Sequence, residues 1–130
     1  MQRSIKFRAK IKGDAVVYKV WGINWLDQKM LIERACGNEW VPFDKIESLM
    51  QFTGLTDKNK VRIFEGDIVK IDRFTETMQG KVEYSNNLAA FIVRISNYRT
   101  LESFPLLLVE MGTRAVEVIG NIYENQLKEE

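Results

Sequence analysis

The stretch IFEGDIVKID, residues 63–72, decides the fold class of this chain. Two short segments rich in β-branched and aromatic residues flank a Glu-Gly-Asp turn, a pattern typical of one β-strand ending and the next beginning. Gly66 can take the positive φ of a tight bend, and the Asp67 carboxylate is expected to accept a hydrogen bond from the backbone two residues further on. The stretch therefore predicts two strands joined by a tight turn.

Short segments of the same kind precede and follow this stretch. Alternation and β-branched runs predict strands over residues 5–11, 15–21, 29–34 (or a helical turn there), 61–64, 67–74, 81–84, 88–95, 106–110 and 115–123. Residues 40–43 read as extended, and turns are predicted at 53–54, 57–59, 79–80 and 86–87. We predict a mainly β fold with one short helix, an α+β fold being the alternative. Its sheets are expected to be barrel-like, with a Src-homology-type or KOW-type barrel in the C-terminal part.

The predicted helix covers residues 44–49, with a single turn as the alternative. Asp44 can act as its N-cap, and Glu47 stands three residues on, where a capping box requires such a side chain. Ile46, Leu49 and Met50 would then share one helical face. This spacing favours a helix at this point of the chain.

The composition limits the chemistry that the chain can perform. Its 130 residues are 45% hydrophobic, with no histidine and one cysteine, Cys36. Such a chain can bury a core without cross-links, but it cannot form an internal disulfide, a multi-cysteine metal site or a Ser-His or Cys-His nucleophile system. We therefore predict no catalytic residue, no metal and no cofactor.

The length suits a single domain over residues 1–130. The alternative is a pair of lobes, 1–52 and 53–125, followed by a polar tail at 126–130. No apolar run approaches the length of about 18 residues that a membrane helix needs, and no secretory signal is visible. We expect a cytoplasmic protein without a membrane partner. The net charge of +1 is too balanced to indicate a polyanion partner.

Several segments, in order along the chain, resemble one known family. LMQFTGLTDKN at 49–59 and IFEGDIVK at 63–70 resemble the central signature of YopX-like proteins. IKFRA at 5–9 is similar to the opening of that family, KVEY at 81–84 to its next strand, and VEVIGNIYEN at 116–125 to its ending. The resemblance implies a mainly β protein encoded by phages, prophages or mobile elements, acting in a bacterial host cell. It brings no activity, cofactor or catalytic residue with it.

The chain departs from this family pattern at two positions. Lys60 stands where the family usually has glycine, so Asn59 is expected to take the left-handed conformation that the turn needs. Lys10 stands where the family often has tryptophan, which lengthens a row of basic residues on the first strand.

The residues of the family signature are interpreted as turn and core residues. They are Gly54, Asp57, Asn59, Glu65, Gly66, Asp67, Gly120 and Asn121. Gly120 and Asn121 predict a bulge or sharp bend in which Asn121 bonds locally. The alternative is a metal-dependent hydrolase that uses Glu65, Asp67 and Glu83. That hypothesis fails if the three carboxylates lie on opposite faces of the sheet.

The basic row on the first strand is the feature with partner-binding character. Lys6, Arg8, Lys10 and Lys12 alternate with apolar residues, and Arg3 lies nearby. An edge strand or an acidic neighbour would explain such a row, and contact with phosphates is the functional alternative. Four aromatic residues are candidates for stacking on bases if they are exposed: Trp21, Trp25, Tyr84 and Tyr98.

The sequence therefore favours a non-catalytic binding or accessory module over an enzyme. Its partner is predicted to be a protein or, as the alternative, a nucleic acid bound by the basic first strand. A structural role as a homo-oligomer is the third hypothesis.

Overall fold

Strands make up most of the chain that the structure describes. The computed structural model describes residues 5–72, 77–95, 101–103 (backbone alone) and 116–124. The strands are β1 (Phe7–Ile11), β2 (Val17–Asn24), β3 (Lys29–Arg34), β4 (Gly37–Pro42), β5 (Ile46–Thr56), β6 (Arg62–Phe64), β7 (Asp67–Asp72), β8 (Thr77–Ser85), β9 (Ala90–Ile95), β10 (Leu101–Ser103) and β11 (Val116–Asn121). The prediction of a mainly β fold is confirmed.

The first of two compact units, Met1–Phe52, is built from antiparallel strands in the order β4-β3-β2-β1-β5. Alternate residues of these strands face one core, which contains Ala9, Ile11, Met30, Ile32 and Val41. Tyr18, Val20, Ile23, Phe43, Ile46 and Leu49 pack around it. Because side chains alternate across a strand, the residues between these point to the opposite side of the sheet.

The second unit, Thr53–Glu130, holds an antiparallel sheet in the order β10-β9-β8-β7-β11. Strand β6 pairs with β5, which continues into this unit. The core contains Ile63, Val69, Ile71, Met78, Val82, Val93, Ile95 and Val116. In the described part, β10 and β11 lie at the two ends of the sheet, so this antiparallel sheet is open and is not a closed barrel. The strand predicted over 106–110 lies outside the described residues.

The short helix predicted over 44–49 does not form, and the structure has the alternative, a single turn. A single 3-10 turn covers Phe43–Lys45, and β5 begins at Ile46. The register between β1 and β5 shifts here: Lys10 is opposite Ser48, whereas Ile11 is opposite Ile46. The bulge adds one residue, so Ile46 and Leu49 face the same core although they are three positions apart. A β-bulge therefore produced the spacing that favoured a helix.

Two predicted turns are also strand residues. Gly80 lies inside β8, where a Cβ atom would come within 2.5 Å of Val93 Cγ1. Glycine is needed there for close packing of two strands rather than for a turn. Residues 53–54 lie inside β5, and Gly54 takes a φ of 93° there. In the described part of the chain, no helix has the length and apolar character needed to span a membrane.

Candidate functional site

The Asp57 carboxylate organises the loop after β5. It is 2% exposed and accepts hydrogen bonds from the backbone N–H of Asn59 (2.8 Å), Val61 (2.9 Å) and Val118 (2.9 Å). The last of these bonds ties the loop to β11. Three N–H donors aimed at one buried carboxylate give it a structural role.

The left-handed residue of this loop is Lys60, with a φ of 65°. The expectation that Asn59 would take that conformation is wrong: Asn59 has no positive φ, and its N–H donates to the Asp57 carboxylate. The Lys60 N–H in turn donates to the Asp57 carbonyl at 3.0 Å. Lysine therefore takes the left-handed conformation at the position where the family that the sequence resembles usually has glycine.

The Glu-Gly-Asp turn joins β6 to β7. Gly66 has a φ of 85°, as its sequence position predicts. Its N–H donates to the Val82 carbonyl (2.8 Å), and its carbonyl accepts from the Ile122 N–H (2.9 Å). Asp67 is 1% exposed, and its carboxylate accepts a hydrogen bond from the Phe64 N–H, three residues before it, at 2.8 Å. This bond ties the end of β6 to the start of β7.

The hydrolase hypothesis fails on the geometry of its carboxylates. Asp67 shares the core side of β7 with Val69, whereas Glu83 follows the core residue Val82 and points to the other side of the sheet. Glu83 accepts two hydrogen bonds from Arg94 Nε, both of 3.1 Å. No group of metal-ligating side chains occurs among the described residues.

The bulge predicted near the end of the chain is confirmed. The pairing of β11 with β7 shifts register between Val118 and Gly120. Asn121 Oδ1 then accepts from the N–H groups of Tyr123 and Glu124, both at 2.9 Å. The family signature is therefore used for turns and strand ends.

The basic row of the first strand does not form one exposed line. Strand β1 lies between β2 and β5, so the explanation as an edge strand is wrong. Lys12 is exposed, whereas Lys6 and Arg8 are half-buried. Lys10 is 8% exposed, and its Nζ lies 3.1 Å from Glu47 Oε1. The acidic neighbour thus accounts for Lys10. Arg3 lies outside the described residues.

All three tryptophans of the chain are exposed, in the first unit. Trp21 is 53%, Trp25 68% and Trp40 49% exposed. Tyr84 is also exposed, as the stacking hypothesis requires, and Tyr98 lies outside the described residues. Burying one large aromatic side chain stabilises a fold by about 1.5–3 kcal/mol, so three exposed tryptophans forgo that stabilisation. Exposed aromatic side chains of this kind are typical of interaction surfaces.

Two of these tryptophans lie on the side of β2–β4 that points away from the core. We call this side the outer face; it carries Lys19, Trp21, Lys29, Leu31, Glu33, Asn38 and Trp40. Trp40 is opposite Leu31, and a bulge in β2 places Trp21 beside Leu31 on the other strand. An apolar row therefore crosses three strands.

The surroundings of Trp21 fix its orientation. Its Nε1 donates to Glu33 Oε1 at 2.7 Å, and Lys19 Nζ lies 4.0 Å from the centre of its ring. This cation–π contact covers one face of the indole, so a base could stack on the other face alone. The carboxylate beside it would also repel a phosphate.

Arg34 fixes the end of the β3–β4 hairpin. Its Nη1 donates to Asp14 Oδ2 (3.2 Å) and its Nε to Glu39 Oε1 (3.1 Å), and Tyr18 also donates to Asp14 (3.0 Å). Burial acts to lower the pKa of Arg34, but Glu39, Tyr18 and Asp14 together raise it above its ordinary value. Glu39 thus has a cation partner beside it on the core side of β4.

Sequence reasoning missed the outer face as a unit. The signal was present in KMLIER, residues 29–34, where Met30 and Ile32 are core residues and Leu31 must therefore point outward. An apolar residue between two charged ones, all on the side away from the core, is a mark of an interaction surface rather than of a solvated one.

Two comparisons with known proteins match nearly the whole chain. A family model described as YopX protein matches residues 6–128. Among solved structures, the chain is similar to the crystal structure of protein EF1440 from Enterococcus faecalis, with 25% sequence identity and a TM-score of 0.58. That match covers 98% of this chain and 100% of the other. Comparison with curated proteins gives no match.

Proposed function

We propose that the chain, which belongs to the YopX protein family, is a non-catalytic module that binds a protein partner. Since the residues of the family signature form turns and strand ends, we assign the binding function to the outer face. We place this role in a phage, prophage or mobile element within a bacterial cell. The observation that carries the proposal is the exposure of Trp21 and Trp40 on one side of a sheet whose other side forms the core.

Charge and chemistry on this face favour a protein over a nucleic acid. Glu33 interrupts the positive charges of Lys19 and Lys29, and of Arg8, which is opposite Lys19 in β1, so this side of the sheet holds no uniformly positive strip. An apolar centre with a charged border is typical of protein interfaces. Nucleic-acid binding by Arg3, Lys6, Arg8, Lys10 and Lys12 stays the alternative proposal, and it predicts salt-sensitive retention of a mixed oligonucleotide pool.

The test is a capture experiment with three immobilised forms of the full chain. We expect the unmodified chain and a Trp25→Ser control to retain one protein from a lysate of phage-carrying cells, and the double variant Trp21→Ser, Trp40→Ser to lose it. Trp25 is the matched control because it is exposed in the β2–β3 turn, where it packs edge-on against Phe43. Equal retention by all three forms, or retention of nucleic acid alone, would contradict the proposal.

A further inference from the structure

Among the described residues, β4 lies at one end of its sheet. One backbone contact shows which of its residues form hydrogen bonds with β3. Phe43 N–H donates to the Gln28 carbonyl at 2.9 Å. This bond joins the residues on either side of the Lys29–Pro42 pair, which is therefore a pair that makes no hydrogen bonds of its own. The backbone groups of Pro42 consequently point away from β3, toward the open edge of the sheet.

Two more residues of β4 direct their backbone N–H and C=O groups away from β3 in the same way. The β3–β4 pairing runs from Pro42 to Gly37 without a register shift, so alternate pairs repeat this geometry. Trp40 and Asn38 therefore direct both N–H and C=O off the edge, and Pro42 directs a C=O alone because proline has no N–H. The edge offers two donors and three acceptors to an added strand.

The side chains next to this edge carry an ordered set of charges on the outer face. Glu33 is opposite Asn38, Leu31 is opposite Trp40, and Lys29 is opposite Pro42. Both Glu33 and Lys29 are exposed, and neither forms an ion pair within the described part of the chain. From Asn38 to Pro42 along β4, the outer face is therefore first negative, then apolar and then positive.

We propose that β4 binds an extended segment of a partner protein as an added antiparallel strand, with an acidic, an apolar and a basic residue at alternate positions. The acidic residue lies opposite Pro42 and reaches Lys29, the apolar residue packs on Trp40, and the basic residue lies opposite Asn38 and reaches Glu33. An added strand lies about 10 Å from β3, two strand spacings away, which long charged side chains span. The backbone bonds supply affinity and the alternate side chains supply selectivity.

A second copy of this chain does not meet these requirements. Pairing β4 with another β4 brings uncharged residues, Asn38, Trp40 and Pro42, to the outer face of the added strand. Glu33 and Lys29 would gain no partner from them. A nucleic acid fails for a different reason, because its phosphates would lie near Glu33.

The inference rests on the proposed function and is tested with two peptides of identical composition. The first is Thr-Glu-Thr-Val-Thr-Lys-Thr, and the second exchanges its Glu and Lys; both are blocked at their ends. Backbone NMR shifts of the full chain report binding. We expect shifts at Asn38 and Trp40 and about tenfold tighter binding of the first peptide, as two cross-strand charge pairs change sign. The double variant Lys29→Glu, Glu33→Lys should reverse this preference.

Four results would overturn the inference. They are equal affinity for both peptides, no shift with either at millimolar concentration, the same shifts on raising the protein concentration alone, and the same shifts with oligodeoxythymidine. If the peptides fail while capture of a protein still depends on Trp21 and Trp40, the strand geometry is wrong and the proposed function stands. If that dependence is also absent, both are wrong.

Discussion

Lys60 holds a backbone conformation that favours glycine, and this gives a stability prediction. Its φ of 65° crowds the Cβ atom against the backbone, whereas glycine adopts the conformation freely. We expect Lys60→Gly to raise the free energy of unfolding by about 1 kcal/mol, measured by urea denaturation. Lys58→Gly is the control, since Lys58 has no positive φ and should lose stability. A Lys60→Gly variant no more stable than the parent would contradict the account of this turn.

Glycine is required at position 80 because there is no room for a larger side chain, and not because the backbone has a positive φ. A Cβ atom there would lie 2.5 Å from Val93 Cγ1 and 2.9 Å from the Arg94 carbonyl oxygen, both in the neighbouring strand. We expect Gly80→Ala to lower the free energy of unfolding by about 2 kcal/mol.

The control for Gly80 is Gly22, which also lies inside a strand and has no positive φ. At Gly22 the nearest atom to an added Cβ is Leu31 Cβ, at an ordinary contact distance of 3.9 Å. Gly22→Ala should therefore leave stability nearly unchanged in the same thermal or urea measurement. Similar losses in both variants would show that strand glycines matter here for reasons other than contact.

At the residue scale, the sequence predicted which residues serve turns better than it predicted the groups to which they are hydrogen-bonded. It placed Gly66 at a positive φ and Asn121 in a local bond, because these depend on neighbours in the chain. It missed the bond from Val118 to Asp57, which joins residues far apart in sequence. It also chose Asn59 over Lys60 for the left-handed position, because asparagine tolerates a positive φ better than lysine does.

At the scale of elements, β-bulges made some strands difficult to predict from the sequence. Period-two patterns predicted most strands, but an inserted residue changes the spacing of the core side chains locally. The bulge opposite β1 gave Ile46 and Leu49 a helical spacing, and the bulge in β2 likewise places Val20 and Ile23, three positions apart, on the same core side. Trp21 follows the core residue Val20 and therefore points to the outer face.

The open edge of β4 makes a prediction for hydrogen exchange. The amides of Asn38 and Trp40 point away from the sheet, whereas those of Glu39 and Val41 bond to β3. In the isolated chain we expect the first two to exchange with solvent much faster than the second two, measured residue by residue by NMR. Uniform protection across all four amides would show that the edge is covered, and the strand-addition proposal would then be wrong.

At the scale of the whole molecule, the sequence predicted the fold class but not which surface is free to bind a partner. Family likeness and alternation identify strands, yet they do not say which side of a sheet is free. The exposure of Trp21 and Trp40 depends on how β2, β3 and β4 are paired, which no single segment specifies. The candidate site therefore required the structure.

The central claim is that the outer face of the first unit holds a protein partner, and site-specific photo-crosslinking tests it most directly. p-Benzoylphenylalanine would replace Trp40 in one form of the chain and Lys81, on the charged side of the second unit's sheet, in another. On irradiation in phage-carrying cells, we predict one discrete protein adduct from position 40 and none from position 81. An adduct of equal yield at both positions, an adduct to nucleic acid, or none at position 40 would contradict the claim.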